Sequence, residues 1–171
     1  MIETLDEVMK TLAPLLDDPT LWDSLVINLR KPHTYRAFCK IGANRICLHR
    51  FEPCSQEEAF FHPHPWPGAF ILMQGSYRMK VGYSVNRQEK PDVAIDLILT
   101  KGSKYSMTNP LAWHSVQPLE TCYSVMVNGE PWAKEIAHER APTTKGKDLE
   151  KMSNEELVKH LDKYKFWLNT K

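Results

Sequence analysis

From residue 34 to residue 128 the chain is interrupted every few positions by turn chemistry: Gly42-Ala43-Asn44, Gln74-Gly75-Ser76, Asn86 to Pro91, Lys101-Gly102-Ser103 and Pro118 to Thr121. This punctuation constrains the fold more than any other feature. The segments it leaves are too short for stable helices, while alternating, β-branched and aromatic runs such as RICLHRF and YRMKVGYSV suit a pleated, half-buried surface. Strands are predicted over 34–41, 45–52, 59–64, 69–74, 77–85, 92–100, 112–117 and 122–128. Short strands in this number, with no long helices between them, predict an all-β sandwich or barrel.

Helical periodicity is confined to the two ends. Leu5, Val8, Met9, Leu12, Leu15 and Leu16 recur at three- and four-residue steps, and Thr4 with Glu7 has the spacing of a capping box. Pro14 and Pro19 are expected to break this helix, and Leu21, Trp22, Leu25 and Val26 to form a second short one. Near the other end Ser153 and Glu156 repeat the capping box, followed by Leu157, Val158, Leu161, Tyr164 and Leu168 on one face. Residues 129–148 are polar and irregular and read as a linker. The expected organisation is a helical segment at 1–30, a β-barrel at 31–130, and a linker with a C-terminal helix at 131–171, all in one domain.

Lysine and arginine number 22 and aspartate and glutamate 21, a net charge of +1, so no overall field points to nucleic acid or to an anionic membrane. No apolar run is long enough to span a bilayer, and MIETLDEVMK places acids where a secretory signal would carry basic residues. The expectation is a cytoplasmic protein whose four cysteines are reduced thiols. If Gly42-Ala43-Asn44 is a three-residue turn, Cys39 and Cys47 oppose each other at a separation that permits a disulfide; two small buried hydrophobes is the preferred reading.

Function must then be sought in side-chain clusters. Of the seven histidines, His33, His138 and His160 lie in connecting or polar segments, and His49 sits inside a strand with nothing in the sequence to pair with it. His62 and His64, in FHPHPWPG, are different. On a strand, residues two apart project from one face with Cα atoms about 6–7 Å apart, a span two imidazoles bridge to one metal ion at about 2.1 Å. The flanking prolines fit an edge strand or, alternatively, a polyproline II segment that would splay the two rings apart.

The wider arrangement resembles the cupin superfamily. Its first motif, G-x5-H-x-H-x(3,4)-E-x6-G, is matched by His62-Pro63-His64 and by Gly75; its second, G-x5-P-x-G-x2-H, opens at Gly102 and ends at His114. The likeness covers about residues 45–128. It implies a double-stranded β-helix, or jelly-roll barrel, here with flanking N- and C-terminal helices, and a divalent metal on His62, His64 and His114. Two departures stand out: the position of the family's glutamate holds Gly68, and Asn109-Pro110-Leu111 stands for P-x-G. A three-histidine site without the glutamate is similar to thiol and diketone dioxygenases, which use iron(II). The late tyrosine of thiol dioxygenases has no counterpart in Ser124-Val125-Met126-Val127-Asn128.

Three neutral imidazoles leave an ion with its full +2 charge and half its coordination sphere free, which suits an anionic or chelating substrate. Imidazole accepts iron, zinc and nickel alike, so iron(II) is favoured by the resemblance alone. Glu58, four residues before His62, is a conceivable carboxylate ligand, although Glu57-Glu58 reads more simply as a solvated pair. Phe60, Trp66, Tyr77, Tyr83 and Trp113 are candidate pocket residues. Arg78 and Lys80 share one strand face, and Arg78 would hold a substrate anion if that face were interior; the exterior reading is preferred. The expected function is an iron(II)-dependent dioxygenase of a small molecule. The alternatives are a non-catalytic ligand-binding cupin and a zinc- or nickel-dependent isomerase or lyase. Apolar stripes on both terminal helices suggest a homodimer.

Overall fold

The computed structural model describes residues 1–86, 89–132 and 149–170, so most of the expected linker and His138 lie outside the described residues. Its strands are β1 (Asp23–Ile27), β2 (Thr34–Ile41), β3 (Asn44–Phe51), β4 (His62–Pro63), β5 (Gly68–Gln74), β6 (Ser76–Tyr83), β7 (Ile95–Thr100), β8 (Lys104–Met107), β9 (Ala112–Pro118) and β10 (Cys122–Asn128). They build a six-stranded sheet, β1-β2-β3-β10-β5-β8, and a four-stranded sheet, β4-β9-β6-β7, with every pairing antiparallel. Two facing antiparallel sheets with strands that cross between them form a jelly roll, as the punctuated pattern predicts.

Gly75 is where the chain changes sheets, being the single residue between β5 of one sheet and β6 of the other. Its φ is +83°, and a Cβ there would stand 2.7 Å from the Cβ of Cys122. Only glycine fits so tight a corner.

Alternation along each strand sorts the residues into two layers. Ala37, Cys39, Ile46, Leu48, Ala69, Val125 and Val127 point out of the barrel and are covered by α1 (Ile2–Leu16) and α2 (Asn154–Asn169), which contribute Leu5, Leu12, Leu16, Leu157, Leu161 and Tyr164. Phe38, Cys47, Phe70 and Met126 point inward, and Leu72, Tyr77, Met79, Val81 and Val116 fill the other end of the interior. The apolar stripes of both helices are therefore largely covered within the chain; Val158, expected on the covered face of α2, is exposed instead.

Several local expectations are corrected. Residues 23–27 form a strand on the edge of the six-stranded sheet, not a second helix, because Leu25, Val26 and Ile27 pair with β2. Helix α1 continues through Pro14 to Leu16; the Leu15 carbonyl of its last turn is satisfied by the Trp22 indole N–H at 2.9 Å. The helix starts at Ile2 with no side-chain cap, so Thr4 and Glu7 form no capping box. At α2 the Ser153–Glu156 box is present in full. β8 was not anticipated, and the strand expected at 59–64 shrinks to two residues, since Pro63 and Pro65 have no N–H to give a ladder.

The Cys39–Cys47 pairing also fails. The β2–β3 turn has two residues, Gly42 and Ala43, so Cys39 opposes Ile46 and Cys47 opposes Phe38. A register change of one residue sends the two thiols to opposite faces of the sheet. All four cysteines are free, and burial raises the Cys39 thiol to about 11.

Candidate metal centre

The three histidines arrive from two elements. β4 pairs with β9 so that His62 lies directly across from His114, and His64 follows immediately after the strand ends. The ring centroids are 5.2 Å apart for His62 and His64, 5.0 Å for His62 and His114, and 4.7 Å for His64 and His114. One nitrogen from each ring lies within 4.8 Å of the others, and Nε2 of His64 is 2.8 Å from Nε2 of His114. Three ligands at about 2.1 Å from one ion require nitrogens about 3.0–3.4 Å apart, so closure needs only small side-chain movement.

The protonation chemistry suits ligation. Burial lowers the pKa of all three rings, and for His64 and His114 the nearby histidines lower it well below the usual range. Metal ligation requires such neutral imidazoles. Nδ1 of His62 donates to the Phe60 carbonyl at 3.0 Å, which leaves Nε2 with its lone pair directed away from that bond. Nδ1 of His114 is buried with no hydrogen-bond partner.

Aromatic rings hold the triad in place. Phe60 stacks on His62 at 5.1 Å and 4°, with the Arg30 guanidinium over its other face. Phe70 meets His64 edge-on at 5.7 Å and stacks on Tyr105 at 4.5 Å, and Tyr105 lies 6.2 Å from His114. Trp66 packs on the same interior cluster as Phe70. Tyr77 is buried deeper, its hydroxyl donating to that of Tyr105 at 3.2 Å. Phe60 thus contacts the triad directly, Trp66 lies on the apolar cluster beside it, and Tyr77 is linked to it through Tyr105.

Three expected pocket residues are elsewhere. Trp113 alternates with His114 and so projects from the opposite face of β9, where it lies 6.0 Å from Phe61. Tyr83 stands beyond the end of the barrel, 51% exposed, beside a shallow depression of about 440 Å³ that it lines with Ser84 and Pro91. Arg78 is on the exterior, donating to both carboxylate oxygens of Asp96 at 2.7 and 2.8 Å. Glu58 is no ligand either: Lys31 binds it at 2.7 Å on the surface and holds its carboxyl below the usual range. At Gly68 a Cβ would meet the Phe70 ring at 3.3 Å, so the glutamate position is occupied by that ring.

Sequence reasoning missed Arg36. It lies on the inward face of β2, directly across from His49 on β3, and its Nε donates to Nε2 of His49 at 2.7 Å. Among the described residues no carboxylate pairs with it. After burial itself, its charge contributes to the lowered basicity of His49, His62 and His64. The alternation of TYRAFCKI put Arg36 on one face with Phe38; the signal was there, but not which face is interior.

No family model matches this chain, and no curated protein matches it in sequence. Its fold does match solved structures. The iron(II) form of HppE superposes with a TM-score of 0.52 at 13% identity, over 65% of this chain and 57% of that one. Hydroxypropylphosphonic acid epoxidase from S. wedmorenis gives 0.50 at 13% identity, over 65% and 56%. This chain thus spans just over half the length of those proteins. The fold is a cupin-type jelly roll with flanking helices. Its histidine triad is a candidate centre for a divalent metal. Among the described residues no helix is long and apolar enough to cross a membrane.

Proposed function

We propose that this protein is an iron(II)-dependent dioxygenase of a small anionic or chelating molecule. The observation that carries the reading is the convergence of three neutral imidazoles, the half-buried His62 and His64 and the buried His114, with no carboxylate in the group among the described residues. These residues would hold the metal. When bound, iron(II) supplies open positions at which oxygen and substrate meet, together with redox chemistry that zinc lacks. Iron is favoured because HppE, whose fold this chain shares, is described in its iron(II) form.

The chain's own residues supply the rest. The Phe60 carbonyl fixes the tautomer of His62. Phe60, Phe70 and Tyr105 pack around the triad and limit the access of water to it. Arg36 offers a positive charge on the inward face of the sheet with no counter-ion among the described residues, which suits a substrate carrying a negative group.

The test is elemental analysis of protein purified without chelator, beside a His62→Ala/His114→Ala variant. About one iron per chain that disappears in the variant, followed by oxygen uptake with a panel of small anions, is the expected result. Stoichiometric zinc or nickel would move the reading to isomerase or lyase chemistry. No metal in either protein after reconstitution would refute a metal enzyme and leave a ligand-binding cupin.

A further inference from the structure

The inner face of the six-stranded sheet carries one row unlike its neighbours. Register places Arg36 opposite His49, His49 opposite Ser124, and Ser124 opposite Leu72, so three polar side chains lie side by side across β2, β3 and β10. The adjacent row, Phe38, Cys47, Met126, Phe70 and Tyr105, has no charged member. His49 and Ser124 are 2% and 1% exposed, yet Nδ1 of His49 and Oγ of Ser124 have no hydrogen-bond partner among the described residues. The Nη groups of Arg36 make no hydrogen bond or ion pair among the described residues, its one bond being Nε to His49. A half-buried cation without a counter-ion among the described residues and two buried donors without acceptors are each unfavourable, and all three sit in one row facing the barrel interior.

The hydrogen bond fixes the ring chemistry of His49. Its Nε2 accepts from Arg36, so in the neutral ring the proton is on Nδ1, which is then a donor. Burial, reinforced by the charge of Arg36, keeps the ring neutral. The row is also anchored from outside: the Tyr164 hydroxyl of α2 lies 2.7 Å from the His49 carbonyl and 3.1 Å from the Ser124 carbonyl. A scaffold held this firmly is suited to fixing a rotamer-rich arginine.

We propose that His49 is the positioning residue of a carboxylate-binding site inside the barrel: its Nε2 holds Arg36 by Nε, freeing both Nη groups for a ligand, and its Nδ1–H joins the Ser124 hydroxyl as a further donor. One positive charge and two neutral donors match a single negative charge, so the occupant is a carboxylate and not a phosphate dianion. That the carboxylate belongs to the substrate rests on the proposed oxygenase reading; the site itself does not depend on metal. The substrate class that follows is a small molecule with one carboxylate and a second, metal-binding group.

The experiment is a titration of the full-length protein, metal-free and metal-loaded, with sodium acetate at constant ionic strength. Arginine Nε–H resonances are followed by NMR, and sodium chloride is the control. Wild type is expected to saturate and to shift the Arg36 resonances. His49→Leu is expected to weaken acetate binding by about tenfold or more, the loss of a charge-assisted contact that orients the guanidinium. His49→Gln, whose amide oxygen also accepts from Nε, is expected to recover most of that affinity, which a merely structural role for the ring would not produce. Should His49→Leu fail to fold, the wild-type and His49→Gln titrations decide. Acetate that shifts no arginine resonance in wild type, or that binds His49→Leu as tightly as wild type, overturns the proposal. Acetate binding without any bound metal would refute the oxygenase reading alone; metal without acetate binding would refute this inference alone.

Discussion

Metal-free protein is expected to lose stability steeply between pH 7.5 and pH 5.5. Burial lowers the pKa of His49, His62, His64, His114 and His160, the last to about 4. The unfolded chain takes up protons near pH 6.5, while these rings stay neutral in the fold. The unfolded state therefore binds more protons, and stability falls as pH drops from 6.5 toward the folded values. One unit below 6.5, each ring that stays neutral in the fold costs about 1.4 kcal/mol, and the four lowered furthest, His49, His64, His114 and His160, together remove about 6 kcal/mol from a total of about 5–15 kcal/mol. The lowered carboxylates, Asp23, Asp96 and Glu58, act only at lower pH, below the usual carboxylate range, and leave this window clear. Urea unfolding followed by circular dichroism at pH 7.5, 6.5 and 5.5, with a chelator present, measures the slope. His160→Gln is the internal check and should flatten the slope by about one proton, since His160 lies outside the triad and bonds the Leu48 carbonyl. Extrapolated stabilities that agree within about 1 kcal/mol from pH 7.5 to 5.5 would refute the reasoning.

Removing one hydroxyl with Tyr164→Phe should lower stability by about 1–3 kcal/mol in urea unfolding, because it leaves the buried carbonyls of His49 and Ser124 without that donor. Gly82→Ala should cost about 1–3 kcal/mol in the same assay, since its Cβ would clash with the Asp92 carbonyl oxygen and the backbone must move. Arg78→Ala, on the exterior and 41% exposed in its side chain, should change stability by less than about 1 kcal/mol and leave metal content as in wild type.

The strands from β2 through β10 were largely legible because turn residues and alternation are local signals. The triad was legible in part: His-x-His spacing brings two imidazoles together if the segment is extended as a strand, and His114 was added by the resemblance to the cupin motifs. The prolines around it shortened β4 but did not separate the rings. What misled was depth. Trp113 and Arg36 both alternate with their neighbours along a strand, and alternation states which residues share a face without stating which face is covered.

The sequence by itself determined the periodicities: where strands and terminal helices run, where glycine turns the chain between sheets, and which histidines can meet. Only the tertiary structure decided the register and the direction of each face. The two-residue turn at Gly42-Ala43 separated Cys39 from Cys47, and the packing of both helices on one side of the six-stranded sheet turned Arg36, His49 and Ser124 inward together. The reason is that a strand's side-chain period of two is satisfied equally by either face. The choice between them is made by the apolar area that other elements bring to cover it.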